Sequence, residues 1–351
     1  MNLSDDPLTQ EGLKKEGLRY CSDANPGFFR QKSGSAFNHY DLNGQKIIDK
    51  KELKRIKDLV IPPAWKNVWI CPYKNGHLQA TGLDEKGRKQ YIYHPDWTKI
   101  TQQNKFSKMV DFGLSLPYIR SKVRFDLSLK KLEKRKILAT IVWLLENTFI
   151  RIGNDEYVKE NNSYGLTTLR NKHIKFRGKE VIFKFRGKSG VNHVIAITHP
   201  TVTNTIKKCV ELPGFALFQY IDENGSKHVI DCEDVNEFLK EVTKKDFSAK
   251  DFRTWGGTAI SANNFYKLGF PESKKLIEKN IVSTVKQVAH HLGNTVTICK
   301  NYYIHPTVIQ TYQQNILVPH FASANKSKDK KPGLSWNEYA LIKLLQKYPV
   351  T

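Results

Sequence analysis

A chain of 351 residues is long enough for about two domains of ordinary size and too long for one small module. Its 57 Lys+Arg against 34 Asp+Glu give a formal net charge of +23, which points to a polyanionic partner, nucleic acid or an anionic membrane surface, rather than to a small neutral substrate. With 39% hydrophobic and 11% aromatic residues the chain can bury real cores, which excludes a disordered basic tail.

In chain order, the N-terminal stretch Met-Asn-Leu-Ser-Asp-Asp-Pro has neither a basic nor an apolar region, so an intracellular, cytoplasmic location is expected. Residues 1 to about 100 read as strand-rich. Within them Leu53, Ile56 and Leu59 share one face of a helix predicted from Asp49 to Leu59, which Pro62-Pro63 stops. A hairpin is predicted from Val68–Cys71 to His77–Gly82, turning at Lys74-Asn75-Gly76, where Asn-Gly would supply positive φ. A further strand follows at Lys89–Tyr93.

From about residue 130 the period becomes helical: Ile137, Leu138, Ile141, Val142, Leu144, Leu145 and Phe149 form a wide apolar stripe, as expected of a helix buried in a larger, mainly helical domain. Strands near His173–Phe176, Val181–Lys188 and His193–Thr198 make a three-stranded insert. Helices resume at about 200–209, 232–243, 249–266, 273–291 and 306–315, with a hairpin at Asn224-Gly225. Ser248-x-x-Asp251 reads as a capping box for the helix that carries Arg253. The stretch Ala322–Gly333, rich in Ser, Lys, Asn and Pro, reads as a linker to a short helix over Trp336–Lys347. No apolar run approaches the ~18 residues of a membrane span.

Several chemistries are excluded. The five cysteines, Cys21, Cys71, Cys209, Cys232 and Cys299, are scattered and never in C-x-x-C spacing, which argues for reduced core thiols over disulfides or structural zinc. Gly187-Lys188-Ser189 has Ile182 where a P-loop would have its first glycine, and His290-His291 are adjacent rather than spaced as metal ligands.

Five positions offer groups suited to phosphodiester chemistry: Arg151 in Arg-Ile-Gly-Asn-Asp-Glu-Tyr, Lys188 in a β-turn, Arg253 in Asp-Phe-Arg-Thr-Trp, Asn294 in Leu-Gly-Asn-Thr and Tyr303 in Asn-Tyr-Tyr-Ile-His-Pro. Taken singly, such an arginine is more often solvated than catalytic and such a tyrosine more often buried packing. Taken in order, the set resembles the type IB DNA topoisomerases, in particular their compact bacterial and poxvirus-like branch. The resemblance runs through Gly82–Tyr93, Arg151–Arg170, Lys172-His173-Ile174, Lys184–Lys188, Lys250–Trp255 and Gly293–Tyr303.

The resemblance implies an α+β architecture with the tyrosine recombinase/topoisomerase IB catalytic fold. Residues 1–100 would be a β-rich N-terminal clamp domain, 101–321 the mainly helical catalytic domain with its three-stranded β insert, and 322–351 a basic linker and short C-terminal helix. The first two would close as a clamp on duplex DNA, preferentially supercoiled, with the protein acting as a monomer and needing no membrane, metal, ATP or other cofactor. Tyr303 would attack a backbone phosphate to give a 3′-phosphotyrosyl bond and expel a 5′-hydroxyl. Arg151 and Arg253 would clamp the non-bridging oxygens, Lys188 would be the general acid, and Asn294 would donate a hydrogen bond where poxvirus and eukaryotic members carry histidine. Tyr302 and Lys179 are the neighbours most easily mistaken for Tyr303 and Lys188; Tyr302 is expected to pack. Arg88, Lys89, Gln90, Tyr91 and Tyr93, with Tyr157 and Lys250, would contact DNA. Two rivals share these features: a tyrosine recombinase, which would normally carry histidine where this chain has Lys250, and a non-catalytic duplex-DNA binder.

Overall fold

The computed structural model describes residues 10–326 and 331–349, so the N-terminal stretch read above and residues 327–330 of the expected linker lie outside the described residues. The chain divides into two compact units, Met1–Phe106 and Ser107–Thr351. That division falls at the last residue of the helix Pro95–Ser107.

In the first unit, helix α1 (Gln10–Lys15) precedes strands β1 (Phe28–Ser33) and β2 (Ala36–Tyr40), helix α2 (Lys50–Asp58), strands β3 (Lys66–Ile70), β4 (Leu78–Leu83) and β5 (Lys89–Tyr93), and α3 (Pro95–Ser107). The strands form one antiparallel sheet in the order β2-β1-β3-β4-β5. Helix α2 starts where Asp49 Oδ1 accepts from Lys51 N at 3.0 Å, and its Ile56 packs with Val68, Ile70 and Ala80 against Leu59, Trp65 and Ile92. Alternation in β5 sends Ile92 to that core and leaves Tyr91 and Tyr93 on the outer side, 47% and 43% exposed. The expected positive φ at Asn75-Gly76 is absent: neither residue is left-handed, and the link from β3 to β4 is a wider loop. Glycine is required at 76 for another reason, since a Cβ there would collide with the sulfurs of Cys71 and Cys21.

The second unit is mainly helical. It contains α4 (Met109–Leu127), α5 (Lys134–Thr148), α6 (Asp155–Asn161), strands β6 (Ile174–Arg177), β7 (Glu180–Arg186) and β8 (Asn192–Ile197), α7 (Pro200–Glu211), the hairpin β9 (Gln219–Ile221) and β10 (Lys227–Val229), then α8 (Cys232–Thr243), α9 (Ala249–Leu268), α10 (Lys274–Leu292), α11 (Val296–Tyr302), α12 (Pro306–Gln313), α13 (Leu317–Lys326) and α14 (Trp336–Lys347). The predicted stripe is buried along α5 between α4, α8 and α9, with Ile137, Ile141, Val142, Leu144 and Leu145 at 0% exposure and Leu138 at 5%, while Phe149 lies past the helix end and is half-buried. The β6-β7-β8 sheet is antiparallel and in sequence order. Ser248 N–H donates to Asp251 Oδ2 at 2.7 Å, the predicted capping box.

Helix α14 coincides with the short helix expected over Trp336–Lys347, while residues 322–326 of the expected linker are the end of α13. Helix α13 runs through residue 322, and α14 packs on α4, α9 and α13 with Leu341, Leu344 and Leu345 buried. A polar clamp reinforces that packing: Arg120 on α4 bonds Glu146 on α5 at 2.7 Å, Glu338 on α14 at 2.5 Å and the Gly333 carbonyl at 2.7 Å. All five cysteines are free, and all but Cys232 are buried. Among the described residues, no helix is long and apolar enough to cross a membrane.

Candidate active site

Four of the five singled-out residues converge in the second unit. Arg151 follows the end of α5, where Phe149 takes the left-handed conformation (φ 54) that turns the chain out of the helix. Its loop is pinned by main-chain bonds from Leu166 N to Arg151 O (2.9 Å) and Thr167 N to Ile152 O (2.7 Å). The capping box at Ser248 fixes the start of α9 and so sets Arg253, 5% exposed, on the buried face of the second turn. The Arg253 guanidinium donates to the Phe149 carbonyl and, at 2.7 Å, to the Leu292 carbonyl at the end of α10. One arginine therefore joins the ends of the two helices that lead to Arg151 and Asn294.

Past Gly293, Asn294 Oδ1 accepts from Arg151 Nη2, and Asn294 Nδ2 is buried without a hydrogen-bond partner, as is Arg253 Nε. Tyr303 caps α11, with the Arg253 guanidinium carbon 5.2 Å from its ring centre; both guanidiniums are hydrogen-bond partners of its hydroxyl. Burial, and then the charge of Arg151, lower the Arg253 pKa to about 10, so it remains cationic at neutral pH; burial also lowers that of Arg151, and Tyr303 offsets part of the shift in both. Two guanidiniums bonded to one phenolic hydroxyl make a site for a tetrahedral oxyanion.

Helix α9 makes room for this approach with Gly256 and Gly257. A Cβ at Gly256 would strike the Phe149 ring, and one at Gly257 would lie 2.6 Å from the Tyr303 carbonyl oxygen. Thr258 Oγ1 then donates to that carbonyl at 3.2 Å and accepts from His305 N at 3.0 Å, which fixes the backbone on both sides of the tyrosine. A glycine pair inside a helix costs about 1 kcal/mol per residue relative to alanine, a sequence signal of close approach that the motif reading passed over.

Two family models match the chain: the eukaryotic DNA topoisomerase I catalytic core over residues 95–329 and the bacterial DNA topoisomerase IB N-terminal domain over residues 36–84. The chain belongs to the type IB DNA topoisomerases. It is 32% identical over 310 residues to the DNA topoisomerase 1B of Acanthamoeba polyphaga mimivirus, covering 86% of this chain and 91% of that one. It is 30% identical over 247 residues to the DNA topoisomerase 1B of Vaccinia virus (strain Copenhagen), covering 66% and 72% respectively.

In this topoisomerase Tyr302 is 37% exposed rather than packed, while Tyr303 is the tyrosine that meets the arginines. Lys188 lies in the short turn Lys188–Gly190 between β7 and β8 and is exposed. Lys179 sits before β7, at the opposite end of a seven-residue strand, roughly 20 Å away along the strand. Lys250 is exposed on the first turn of α9, and Tyr157 lies in α6 with a side chain outside those described. In the first unit, Lys89 pairs with Asp23 at 2.6 Å and Arg88 with Asp84 at 2.5 Å, while Gln90 donates to Asp84 at 3.0 Å. Of the five DNA-contact candidates on β5 and just before it, only the stacked rings of Tyr91 and Tyr93 are therefore outside that acid-bonded network, although Lys89 also approaches the Tyr91 ring at 5.6 Å. Among the described residues, no group of three or more His, Cys, Asp or Glu side chains could hold a metal ion.

His305, 3% exposed, caps α12 by accepting from Thr307 N at 3.2 Å, and burial pushes its pKa down to about 4. Between that value and the ordinary 6.5 of an unfolded histidine the unfolded chain binds more protons, so this group's contribution to stability rises with pH through that window and is flat above it. His305→Asn, which can still cap, is expected to remove up to about 3 kcal/mol of the stability lost between pH 6.5 and 4, read as the difference between wild-type and variant urea midpoints.

Proposed function

We propose that the enzyme relaxes supercoiled duplex DNA by transient cleavage of one strand, with Tyr303 as nucleophile, Arg151 and Arg253 as phosphate clamps, Asn294 as a neutral donor and Lys188 as general acid. The observation that carries this reading is the Tyr303 hydroxyl bonded to two guanidiniums, that of Arg253 buried and that of Arg151 half-buried. As the phenolic oxygen attacks phosphorus its proton passes to solvent water, the bond to the 5′ oxygen breaks, and the two arginines and the Asn294 amide offset the charge of the pentacoordinate phosphorane. A proton from Lys188 would complete the departing 5′-hydroxyl. The backbone bond energy is kept in the phosphotyrosyl ester, the free end swivels, and the 5′-hydroxyl reattacks to restore the strand.

The same reading makes the protein a monomer whose first unit, through Tyr91 and Tyr93 with Arg88, Lys89 and Gln90, would hold DNA as one half of a clamp, with Tyr157 and Lys250 contributing from the second. The expected result is relaxation of both positive and negative supercoils in EDTA without ATP, assayed on plasmid topoisomers. An absolute requirement for Mg²⁺ or ATP would overturn the mechanism. Because the net charge of +23 places phosphate neutralisation at the centre of binding, affinity should fall by roughly a thousandfold between about 50 and 200 mM salt, as seen in filter binding.

A further inference from the structure

We propose that His193 is a positioning residue that locks the Lys188 turn onto the cleavage centre. It stands on β8, and its ring stacks on Phe185 of β7 with centroids 4.9 Å apart and planes inclined by 20°. Phe185 is itself only 6% exposed, so the imidazole lies on a fixed platform. Two glycines admit it. A methyl group on Gly187 would lie 2.6 Å from His193 Nε2, and one on Gly293 would lie 2.8 Å from Cε1. Gly187 immediately precedes Lys188 and Gly293 immediately precedes Asn294, so the ring fills the space between the backbone of the acid-bearing turn and the backbone of the arginine-bound asparagine.

Bonds inside the hairpin fix the shape of the turn but not its place: Gly187 N to Val191 O at 2.7 Å and Gly190 N to Gly187 O at 3.0 Å. The Tyr164 N–H bond to Arg186 O, 2.8 Å, anchors the end of β7, and beyond it Lys188 and Ser189 are exposed. The wedge at His193 adds a lateral restraint on the turn backbone at Gly187. The groups that face it, Arg151 and Arg253, are both cationic, and together with burial they depress its pKa; a neutral ring restrains the turn without adding a third positive charge beside the arginines.

The proposal rests on the assignment of Lys188 as general acid, and the test separates the two. Single-turnover cleavage by the full-length enzyme is measured on paired duplexes whose leaving group is either the natural 5′ oxygen or a bridging 5′ sulfur, which needs no acid. His193→Ala is expected to slow the oxygen substrate by about ten- to hundredfold, a part of the 10²–10⁴ that acid catalysis supplies, and the sulfur substrate by less than about threefold. His193→Gln, flat and neutral, should recover most of the oxygen rate. Equal slowing on both substrates, or no slowing on oxygen, overturns the positioning role. Lys188→Ala, run beside it, must show the same oxygen-selective loss. If it does not, the Lys188 assignment fails and the proposal with it, whereas a selective Lys188 variant beside a non-selective His193 variant overturns the His193 role alone.

Discussion

Tyr303→Phe is expected to abolish relaxation of supercoiled plasmid and formation of a denaturant-resistant protein–DNA adduct, while duplex binding stays within about twofold of wild type. The substitution removes one oxygen and leaves the ring against Arg253 and the backbone held by Thr258, so the fold and the charged surface persist. Rates should drop below detection, because the remaining clamps have no nucleophile to act on. Tyr302→Phe is the control, expected to retain activity since its ring is 37% exposed. Relaxation by the Tyr303 variant would place the covalent bond elsewhere.

Arg253→Ala should produce the next largest loss, on the order of 10³ or more in the cleavage rate, the range for removal of a cation that stabilises phosphoryl transition-state charge. A second effect is separable from the first. The Phe149 and Leu292 carbonyls both depend on this guanidinium, and leaving each buried acceptor unpaired costs about 1–3 kcal/mol. Arg253→Lys keeps one charge but lacks the planar fork that reaches two carbonyls and a phosphate, so it should recover part of the stability and little of the rate. Single-turnover cleavage and urea unfolding on the same preparations distinguish these effects; cleavage by the alanine variant within tenfold of wild type would remove Arg253 from the centre.

Much of the scaffold could be read from local chemistry. Asp49 and the Ser248/Asp251 pair start their helices as side-chain capping requires, and the apolar stripe on α5 is buried where its period places it. Failures arose where tertiary contact overrules a local rule. Helix α4 carries buried Met109, Phe112, Leu116, Ile119 and Val123 at helical spacing, yet Pro117 stands inside it and masks the signal, since proline in a helix interior ordinarily breaks it. Gly76 closes the expected turn by donating to the Tyr73 carbonyl at 3.1 Å, but without positive φ, and it is two cysteine sulfurs that require a glycine there. At the site, the spacing of the polar residues singled out Arg151, Arg253, Asn294 and Tyr303, but not the carbonyls of Phe149 and Leu292, the Gly256-Gly257 gap or His193. The carbonyls and His193 act through tertiary position that no residue pattern encodes before the chain is folded, whereas the glycine pair inside a helix is itself a sequence signal.

The Arg120 clamp bears on how this protein can be cut down for laboratory use. The family match ends at residue 329, which invites truncation there, but the helix beyond it supplies Leu341, Leu344 and Leu345 to the interior and Glu338 to Arg120. A fragment ending before Trp336 would bare an oily groove on α4 and α9 and strand one arginine with half its counter-charge, so it should aggregate on expression even though every residue of the cleavage centre is still present.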